Sequence, residues 1–207
     1  MNVMHIQKTG LPQTLNAATA ILQKGGIVAY PTETFYGLGA RFDLKNPVEK
    51  IVLLKNRPFN NPLPLIIGNQ NLLTLIADSP NELALRLIQN FWPGPLTLLL
   101  PAKQGLPHLI TGESGKVGVR MPGQSCALEL AQHANFPITS TSANISGKPP
   151  AQDAEAVYRY FADAIDLIID GGTTVGGKPS TIVDACGDTL IIVREGAVSS
   201  DEINRAV

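Results

Sequence analysis

The sequence contains few of the residues that build disulfides, metal centres and aromatic clusters. Two cysteines, three histidines, one tryptophan and 5% aromatic residues occur among its 207 residues. Cys126 and Cys186 lie far apart in the chain, without the close spacing of zinc ligands or of a disulfide framework. We therefore predict neither a disulfide nor a protein-bound metal.

Long hydrophobic runs are also missing. No segment approaches the roughly 18 consecutive apolar residues that cross a bilayer. The first eight residues lack the apolar core of a signal peptide. The sequence therefore predicts a protein of the cytoplasm.

Charge of either sign is scarce. Charged residues make up 16% of the chain, and the net charge is -1 at pH 7. A nearly neutral chain has no overall attraction for nucleic acid. Any basic surface must therefore be local and must be argued from individual residues.

The hydrophobic residues, at 44% of the chain, predict one globular α/β domain. Their helical spacing predicts helices over residues 14–24, 46–54, 81–92, 124–134 and 153–162. Short apolar runs predict strands at 27–30, 63–67, 96–100, 117–120, 138–141, 167–169, 180–184 and 189–193, the last two as a hairpin. This order of elements predicts a single mixed sheet, parallel and antiparallel, flanked by helices.

A polar run at residues 139–150 follows a predicted strand and contains five hydroxyl groups. Polar groups removed from water need partners, so the run forms either a solvated turn or a cradle for a ligand. In an extended segment Ser140, Ser142 and Asn144 project from the same side. Taken alone, the run favours a turn that caps the helix beginning near Asp153.

Lys55 and Arg57 follow the helix predicted over residues 46–54. Pro58 favours an extended conformation in the residue before it, so we expect both cations to point the same way. The simpler interpretation is that the helix macrodipole favours two cations at its C-terminus, by roughly 0.3–1 kcal/mol each. The alternative is an anion site, because a lysine point charge beside an arginine fork suits phosphate.

Two glycine-rich segments resemble nucleotide-binding motifs only in part. Gly37 and Gly39 lack the third glycine of a dinucleotide fingerprint and precede no clear helix. Residues 172–178 fit the first seven positions of a P-loop, but Pro179 replaces the required Ser or Thr. A strand-like segment follows where a helix should hold the phosphate. We predict a loop there and no phosphate site.

Arginines recur where predicted strands and helices end, at Arg57, Arg120 and Arg194. Solubility is a poor explanation for this placement, because surface charge is more readily supplied within helices. A pocket for a polyanion explains it better.

Several sequence blocks together resemble the YrdC family of threonylcarbamoyl-AMP synthases. They occur in order over nearly the whole chain, and the family's pairing of Lys-x-Arg with Ser-x-Asn is intact. The blocks are residues 31–39, Lys55-x-Arg57-Pro58, residues 93–97, residues 119–122, Ser142-Ala143-Asn144-x-Ser146-Gly147 and residues 180–184.

The resemblance implies a twisted mixed sheet with a basic concave face and a nucleotidyltransferase activity. The expected reaction forms L-threonylcarbamoyl-AMP and diphosphate from L-threonine, bicarbonate or CO2, and ATP, with Mg2+ accompanying ATP. The product would supply the threonylcarbamoyladenosine modification of tRNA through a downstream transferase. Longer family members carry a further C-terminal domain. Here we expect one YrdC-like domain over residues 1–207, with its core at about 12–200, and no additional domain.

The resemblance also implies the site residues, and it implies no metal ligand among them. Lys55 and Arg57 are expected to stabilise the charge of the transition state. The expected ATP-binding residues are Arg57, Asn61, Lys116, Ser142, Asn144, Pro150 and Arg194. The expected L-threonine-binding residues are Thr34, Ile66, Arg120, Ser140 and Ser180.

Two alternatives stay open from the sequence. The first is a double-stranded RNA-binding protein of the same fold, because a basic concave face also suits the phosphates of double-stranded RNA. The other is a paralogue without synthase activity, although such relatives typically depart from the Ser-x-Asn pattern.

Overall fold

A computed structural model describes residues 2–207 and contains eight α-helices. Asn81, Ser125, Asp153 and Ser199 cap four of them, each accepting a backbone N–H with its side chain. The helices are α1 (Ile6–Thr9), α2 (Leu11–Gln23), α3 (Lys45–Leu54), α4 (Glu82–Phe91), α5 (His108–Thr111), α6 (Cys126–Ala134), α7 (Ala154–Phe161) and α8 (Ser200–Arg205).

Eleven strands form the sheets, and most are short. They are β1 (Val3–His5), β2 (Val28–Pro31), β3 (Tyr36–Gly39), β4 (Leu65–Ile66), β5 (Leu96–Pro101), β6 (Lys116–Arg120), β7 (Ile138–Thr139), β8 (Thr141–Ser142), β9 (Leu167–Asp170), β10 (Thr181–Asp184) and β11 (Ile191–Arg194).

The strands are divided between two mixed sheets. Five strands follow the order β1-β9-β2-β3-β8, and six follow the order β11-β10-β5-β6-β4-β7. Within the larger sheet β5 pairs parallel with β10 and antiparallel with β6. The predicted α/β class with mixed pairing is confirmed, but the strands form two sheets where the sequence analysis expected one.

The chain crosses between the two sheets at Ser140. Strand β7 ends at Thr139 in the larger sheet and β8 begins at Thr141 in the smaller one, so a single residue joins them. The Ser140 N–H donates to the Pro64 carbonyl at 2.7 Å, which fixes the crossing beside β4. The two sheets therefore approach each other where the polar run begins.

All five predicted helices are present, and β10 and β11 form the predicted antiparallel hairpin. Strand β1 and helices α1, α5 and α8 have three to six residues each, too few to give a clear periodic pattern. Residues 172–178 contain neither helix nor strand, as predicted. Among residues 2–207 the longest helix has 13 residues, and none could span a membrane.

A glycine permits close contact between the larger sheet and α6. A Cβ atom at Gly68, just after β4, would overlap backbone atoms of Ala131 and Gln132. We expect Gly68→Ala to lower the free energy of unfolding by about 1–3 kcal/mol, because overpacking shifts the backbone. Urea denaturation measures the change.

Gly187→Ala is the matched control, because the space around its Cβ position is open in the described part of the chain. It should stay within about 1 kcal/mol of the wild-type protein. Equal denaturation midpoints for the two variants would contradict the proposed role of Gly68.

Candidate active site

A cavity of about 470 Å3 opens between the two sheets. The smaller sheet contributes β3 and β8 to its wall, and the larger sheet contributes β4, β5, β6, β10 and β11. Nine of the thirteen predicted site residues line this cavity. They are Thr34, Arg57, Asn61, Ile66, Arg120, Ser140, Ser142, Ser180 and Arg194.

The Arg57 guanidinium is held by the loop that follows it. Its Nε donates to the Asn61 carbonyl at 2.8 Å, and Nη2 donates to Asn61 Oδ1 at 2.8 Å and to the Pro62 carbonyl at 2.9 Å. These acceptors are neutral, so the bonds orient the guanidinium without compensating its charge. Burial, together with the nearby Arg194, lowers the pKa of Arg57.

Arg194 lies at the mouth of the cavity, where its side chain is exposed. Its Nη2 donates to the Ser180 carbonyl at 2.8 Å. Partial loss of water, together with the nearby Arg120, lowers the pKa of Arg194. Arg194 thus lies close enough to both Arg57 and Arg120 for like charges to repel, as expected of a site built for an anionic ligand.

Lys55 does not line the cavity. It is 2% exposed, and its ammonium donates to the Ser142 carbonyl, to the Asn144 carbonyl at 2.6 Å and to Asn144 Oδ1 at 3.5 Å. These three acceptors match the three N–H donors of an ammonium group. Burial and the Arg57 charge lower the pKa of Lys55 to about 7. Lys55 therefore holds the 142–146 segment and directs no donor into the cavity.

The expectation that Lys55 and Arg57 point the same way is wrong. Helix α3 ends in a Schellman motif, with Asn56 in the left-handed region at φ +49°. The Asn56 N–H donates to Leu53 and the Arg57 N–H to Val52, each at 3.0 Å. This turn separates the two cations, so that Lys55 points into the protein and Arg57 lines the cavity.

Asn144 also turns away from the cavity. Its Nδ2 donates to the carbonyls of Ile145 and Lys148 at 2.9 and 2.7 Å, while its Oδ1 accepts from Ser142 Oγ at 2.6 Å. Ser142 lines the cavity, so Asn144 acts as an internal brace of the loop that presents Ser142. The 139–150 run thus begins in strands β7 and β8 beside the cavity and continues as a loop after Ser142, while Asp153 itself caps α7.

Lys116 and Pro150 also lie outside the cavity wall. Lys116 Nζ pairs with Asp184 Oδ2 at 2.5 Å, at the start of β6, and this pairing raises the pKa of Lys116. Gly118, two residues along the same strand, does line the cavity. Next to Pro150 in the chain, the Pro149 carbonyl accepts a hydrogen bond from Tyr160 Oη of helix α7 at 2.9 Å.

Hydroxyl groups line the cavity together with Arg120. Thr32 Oγ1 accepts from the N–H groups of Thr34 and Phe35 at 3.1 and 3.2 Å, which fixes the turn that carries Thr34. Ser180 Oγ lies 3.0 Å from Thr97 Oγ1. Together with Arg120, these side chains can form hydrogen bonds with a small ligand that carries a hydroxyl and a carboxylate.

Thr97 and Glu33 were not among the site residues predicted from the sequence, although both lie in the blocks that carry the resemblance. Thr97 is 4% exposed and is a polar residue within an otherwise apolar strand, which is the signal that could have identified it. Glu33 pairs with Arg120, with Oε1 3.2 Å from Nη1. The sequence signal that could have identified Glu33 was its position as an acidic residue between Thr32 and Thr34.

The loop at residues 171–180 reaches the cavity at Pro179 and Ser180. The Gly176 N–H donates to the Thr34 carbonyl at 2.8 Å, and the Thr174 N–H donates to the Gln152 carbonyl at 2.8 Å. Strand β10 follows the loop, so the helix N-terminus required by a P-loop is absent there, as predicted.

Replacing the Lys55 ammonium should loosen the 142–146 segment. In Lys55→Met two backbone carbonyls lose a charged donor, at a cost of roughly 1–3 kcal/mol each if they stay buried. We expect amide hydrogen exchange of residues 142–146 to accelerate by roughly tenfold or more, as measured by mass spectrometry.

Lys50→Met is the control, because Lys50 lies on the same helix and is exposed. Unchanged exchange at residues 142–146 in a folded Lys55→Met variant would show that the ammonium does not hold this segment.

Comparison with known proteins identifies the family. The Sua5/YciO/YrdC family model, described as telomere recombination, matches residues 20–196. A threonylcarbamoyl-AMP synthase of Pyrococcus abyssi is 40% identical over 193 residues, which is 93% of this chain and 57% of that protein.

Two solved structures have the same fold. The crystal structure of P. abyssi Sua5 complexed with L-threonine superposes with a TM-score of 0.93 at 38% identity, covering 100% of this chain and 61% of that one. E. coli YciO superposes with a TM-score of 0.85 at 29% identity, covering 98% of both chains. The chain therefore spans about three fifths of the P. abyssi proteins and nearly all of YciO, and it belongs to the Sua5/YciO/YrdC family.

Proposed function

We propose that this protein is an L-threonylcarbamoyl-AMP synthase, which forms threonylcarbamoyl-AMP and diphosphate from L-threonine, bicarbonate or CO2, and ATP. The observation that carries the proposal is that one cavity combines two kinds of surface. Arg57 and Arg194, whose hydrogen-bond acceptors are neutral, suit a polyphosphate, while Arg120 and the surrounding hydroxyl groups suit a hydroxy amino acid.

The names of the relatives support this proposal. The P. abyssi relative is named threonylcarbamoyl-AMP synthase, and the P. abyssi Sua5 structure contains L-threonine. This chain spans only part of those proteins, so the cavity is the main support for the proposed activity.

The reaction needs no side-chain nucleophile. The threonine amine attacks CO2 and loses a proton to give a carbamate, whose oxygen then attacks the α-phosphorus of ATP. The bond between the α-phosphorus and the bridging oxygen breaks, and diphosphate leaves. Arg57 and Arg194 are placed to stabilise the charge that gathers on the phosphate oxygens. Holding carbamate and ATP in line can contribute about 7–11 kcal/mol in favourable cases.

Lys55 contributes indirectly in this proposal, which modifies the role expected from the sequence. Its ammonium is already bound to the 142–146 segment, so it keeps Ser142 at the cavity wall and leaves contact with phosphate to the arginines. A fixed site needs no reorganisation when charge develops, and this is the main advantage of preorganised groups.

Mg2+ is expected to accompany ATP, and it would supply charge neutralisation for the phosphates. Among residues 2–207 no cluster of three or more His, Cys, Asp or Glu side chains could hold a metal ion. We further propose that the product serves threonylcarbamoylation of tRNA in the cytoplasm through a separate transferase.

The cavity favours this function over double-stranded RNA binding. An RNA helix is recognised through phosphates and 2′-hydroxyls on an extended surface. Arg57 and Arg120 instead line a cavity of about 470 Å3, which is the size of a small-molecule site.

The direct test incubates the purified protein with radiolabelled bicarbonate, L-threonine and ATP, and separates the nucleotides. We expect a labelled adenylate whose formation requires all three substrates. Arg57→Ala should lower its rate by roughly tenfold or more without unfolding the protein. Arg159→Ala, which removes an exposed arginine on α7, should leave the rate unchanged. A folded wild-type protein that forms no labelled adenylate would contradict the proposed function.

The amino acid specificity gives a second test. Thr34, Ser140 and Ser180 can bond the threonine hydroxyl, so valine leaves polar groups unpaired, and we expect its rate to fall by roughly a hundredfold or more. Serine lacks only one methyl group and should be slower by about fivefold. Adenylate formation from each amino acid is measured by diphosphate release. If valine reacts as fast as serine, these three hydroxyls serve the fold and do not select the substrate.

A further inference from the structure

Glu33 connects the two sides of the cavity at Arg120. It lies in the turn after β2, in the smaller sheet, and its carboxylate reaches the end of β6 in the larger sheet. Oε1 lies 3.2 Å from Arg120 Nη1, and Oε2 accepts from Nη2 at 3.5 Å. Oε1 also accepts from the Gly123 N–H at 3.2 Å. The carboxylate is thus fixed by a backbone group as well as by the arginine.

This pairing uses only one edge of the Arg120 guanidinium. A guanidinium can bind a carboxylate through its two terminal nitrogens, or side-on through Nε and Nη2. Glu33 occupies the terminal edge. Arg120 is 8% exposed and lines the cavity, and among residues 2–207 its guanidinium donates to Glu33 alone, through Nη1 and one N–H of Nη2. The side-on edge, formed by Nε and the second N–H of Nη2, is therefore left for a second carboxylate.

Glu33 also changes the charge of this end of the cavity. Arg57 and Arg194 donate to neutral oxygens, whereas Arg120 has a carboxylate partner. An end that holds one arginine and one carboxylate suits a zwitterion, while the uncompensated arginines suit a polyanion. Arg120 therefore differs from the other two arginines in having a carboxylate that compensates its charge.

We propose that Glu33 is a positioning residue for amino acid recognition. It holds the guanidinium of Arg120 by one edge, so that the other edge receives the α-carboxylate of the amino acid. This proposal rests on the proposed function, since it takes L-threonine as the ligand. Glu33 touches Arg120 and acts on the substrate through it.

The test measures equilibrium binding of L-threonine by calorimetry, without ATP, to the wild type, Glu33→Gln and Glu33→Ala. Gln keeps one oxygen that can accept from Arg120, whereas Ala keeps none. We expect the dissociation constant to rise by roughly tenfold in Glu33→Ala and by a smaller factor in Glu33→Gln. The affinity for ATP should stay unchanged in both variants.

Binding of a second ligand distinguishes a positioning role of Glu33 from a general loss of structure in the variant. L-Threoninol carries a hydroxymethyl group in place of the carboxylate, so it cannot use the fork of Arg120. Glu33→Ala should weaken threonine binding while leaving threoninol binding nearly unchanged, and in an Arg120→Ala background it should cause no further loss. A merely structural defect would weaken both ligands and lower the melting temperature. Glu155→Gln removes an exposed carboxylate–arginine pair on α7 and is the matched control.

The outcomes separate this inference from the proposed function. If the wild-type protein binds no threonine, the proposed function fails. If the wild type binds threonine and both Glu33 variants bind it equally well or more tightly, Glu33 merely competes with the substrate for Arg120, and the positioning role is wrong. If folded Glu33→Ala loses threonine and threoninol alike, the role is also wrong.

Discussion

The constraint on which the site depends is the placement of three guanidinium groups around one cavity. Burial lowers the pKa values of Arg57 and Arg194, and the neighbouring guanidinium of Arg194 or Arg120 lowers them further. Each guanidinium is therefore fixed by a different local device: Arg57 by the carbonyls of its own loop, Arg194 by the Ser180 carbonyl, and Arg120 by Glu33. The repulsion disfavours the empty cavity, and binding of an anion would relieve it.

The buried ammonium of Lys55 fixes another part of the cavity wall through its hydrogen bonds. A lysine taken out of water needs acceptors for all three of its donors, and here the 142–146 segment supplies them. The bonding is reciprocal, because the Lys55 carbonyl accepts from the Ser146 N–H at 2.8 Å. The end of α3 and the polar loop therefore form one rigid unit, with Arg57 on one side of the cavity and Ser142 on another.

The sequence predicted the main helices and strands because their apolar periodicity is long enough to read, as in α4 and β5. The resemblance to the family implied nine of the residues that line the cavity, and three of them, Arg57, Arg120 and Arg194, also stood out by their positions at element ends. The inward direction of Lys55 was missed, because spacing alone does not show a left-handed turn at Asn56. Asparagine tolerates that conformation better than most residues, so the turn is intelligible in hindsight. The division into two sheets depends on one residue, Ser140, and no local pattern marks such a crossing.

The crossing at Ser140 also explains why residues so far apart in the chain meet. Strand β7 ends against β4 in the larger sheet, and β8 continues beside β3 in the smaller one. The ends of both sheets therefore face a common space, and side chains at strand ends, such as Ser180 before β10 and Arg120 at the end of β6, enter it together. Because Glu33 approaches from the smaller sheet and Arg120 from the larger, their pairing depends on how the two sheets are spaced. Binding of a ligand that contacts both sheets would therefore depend on the same spacing as the pairing of Glu33 with Arg120.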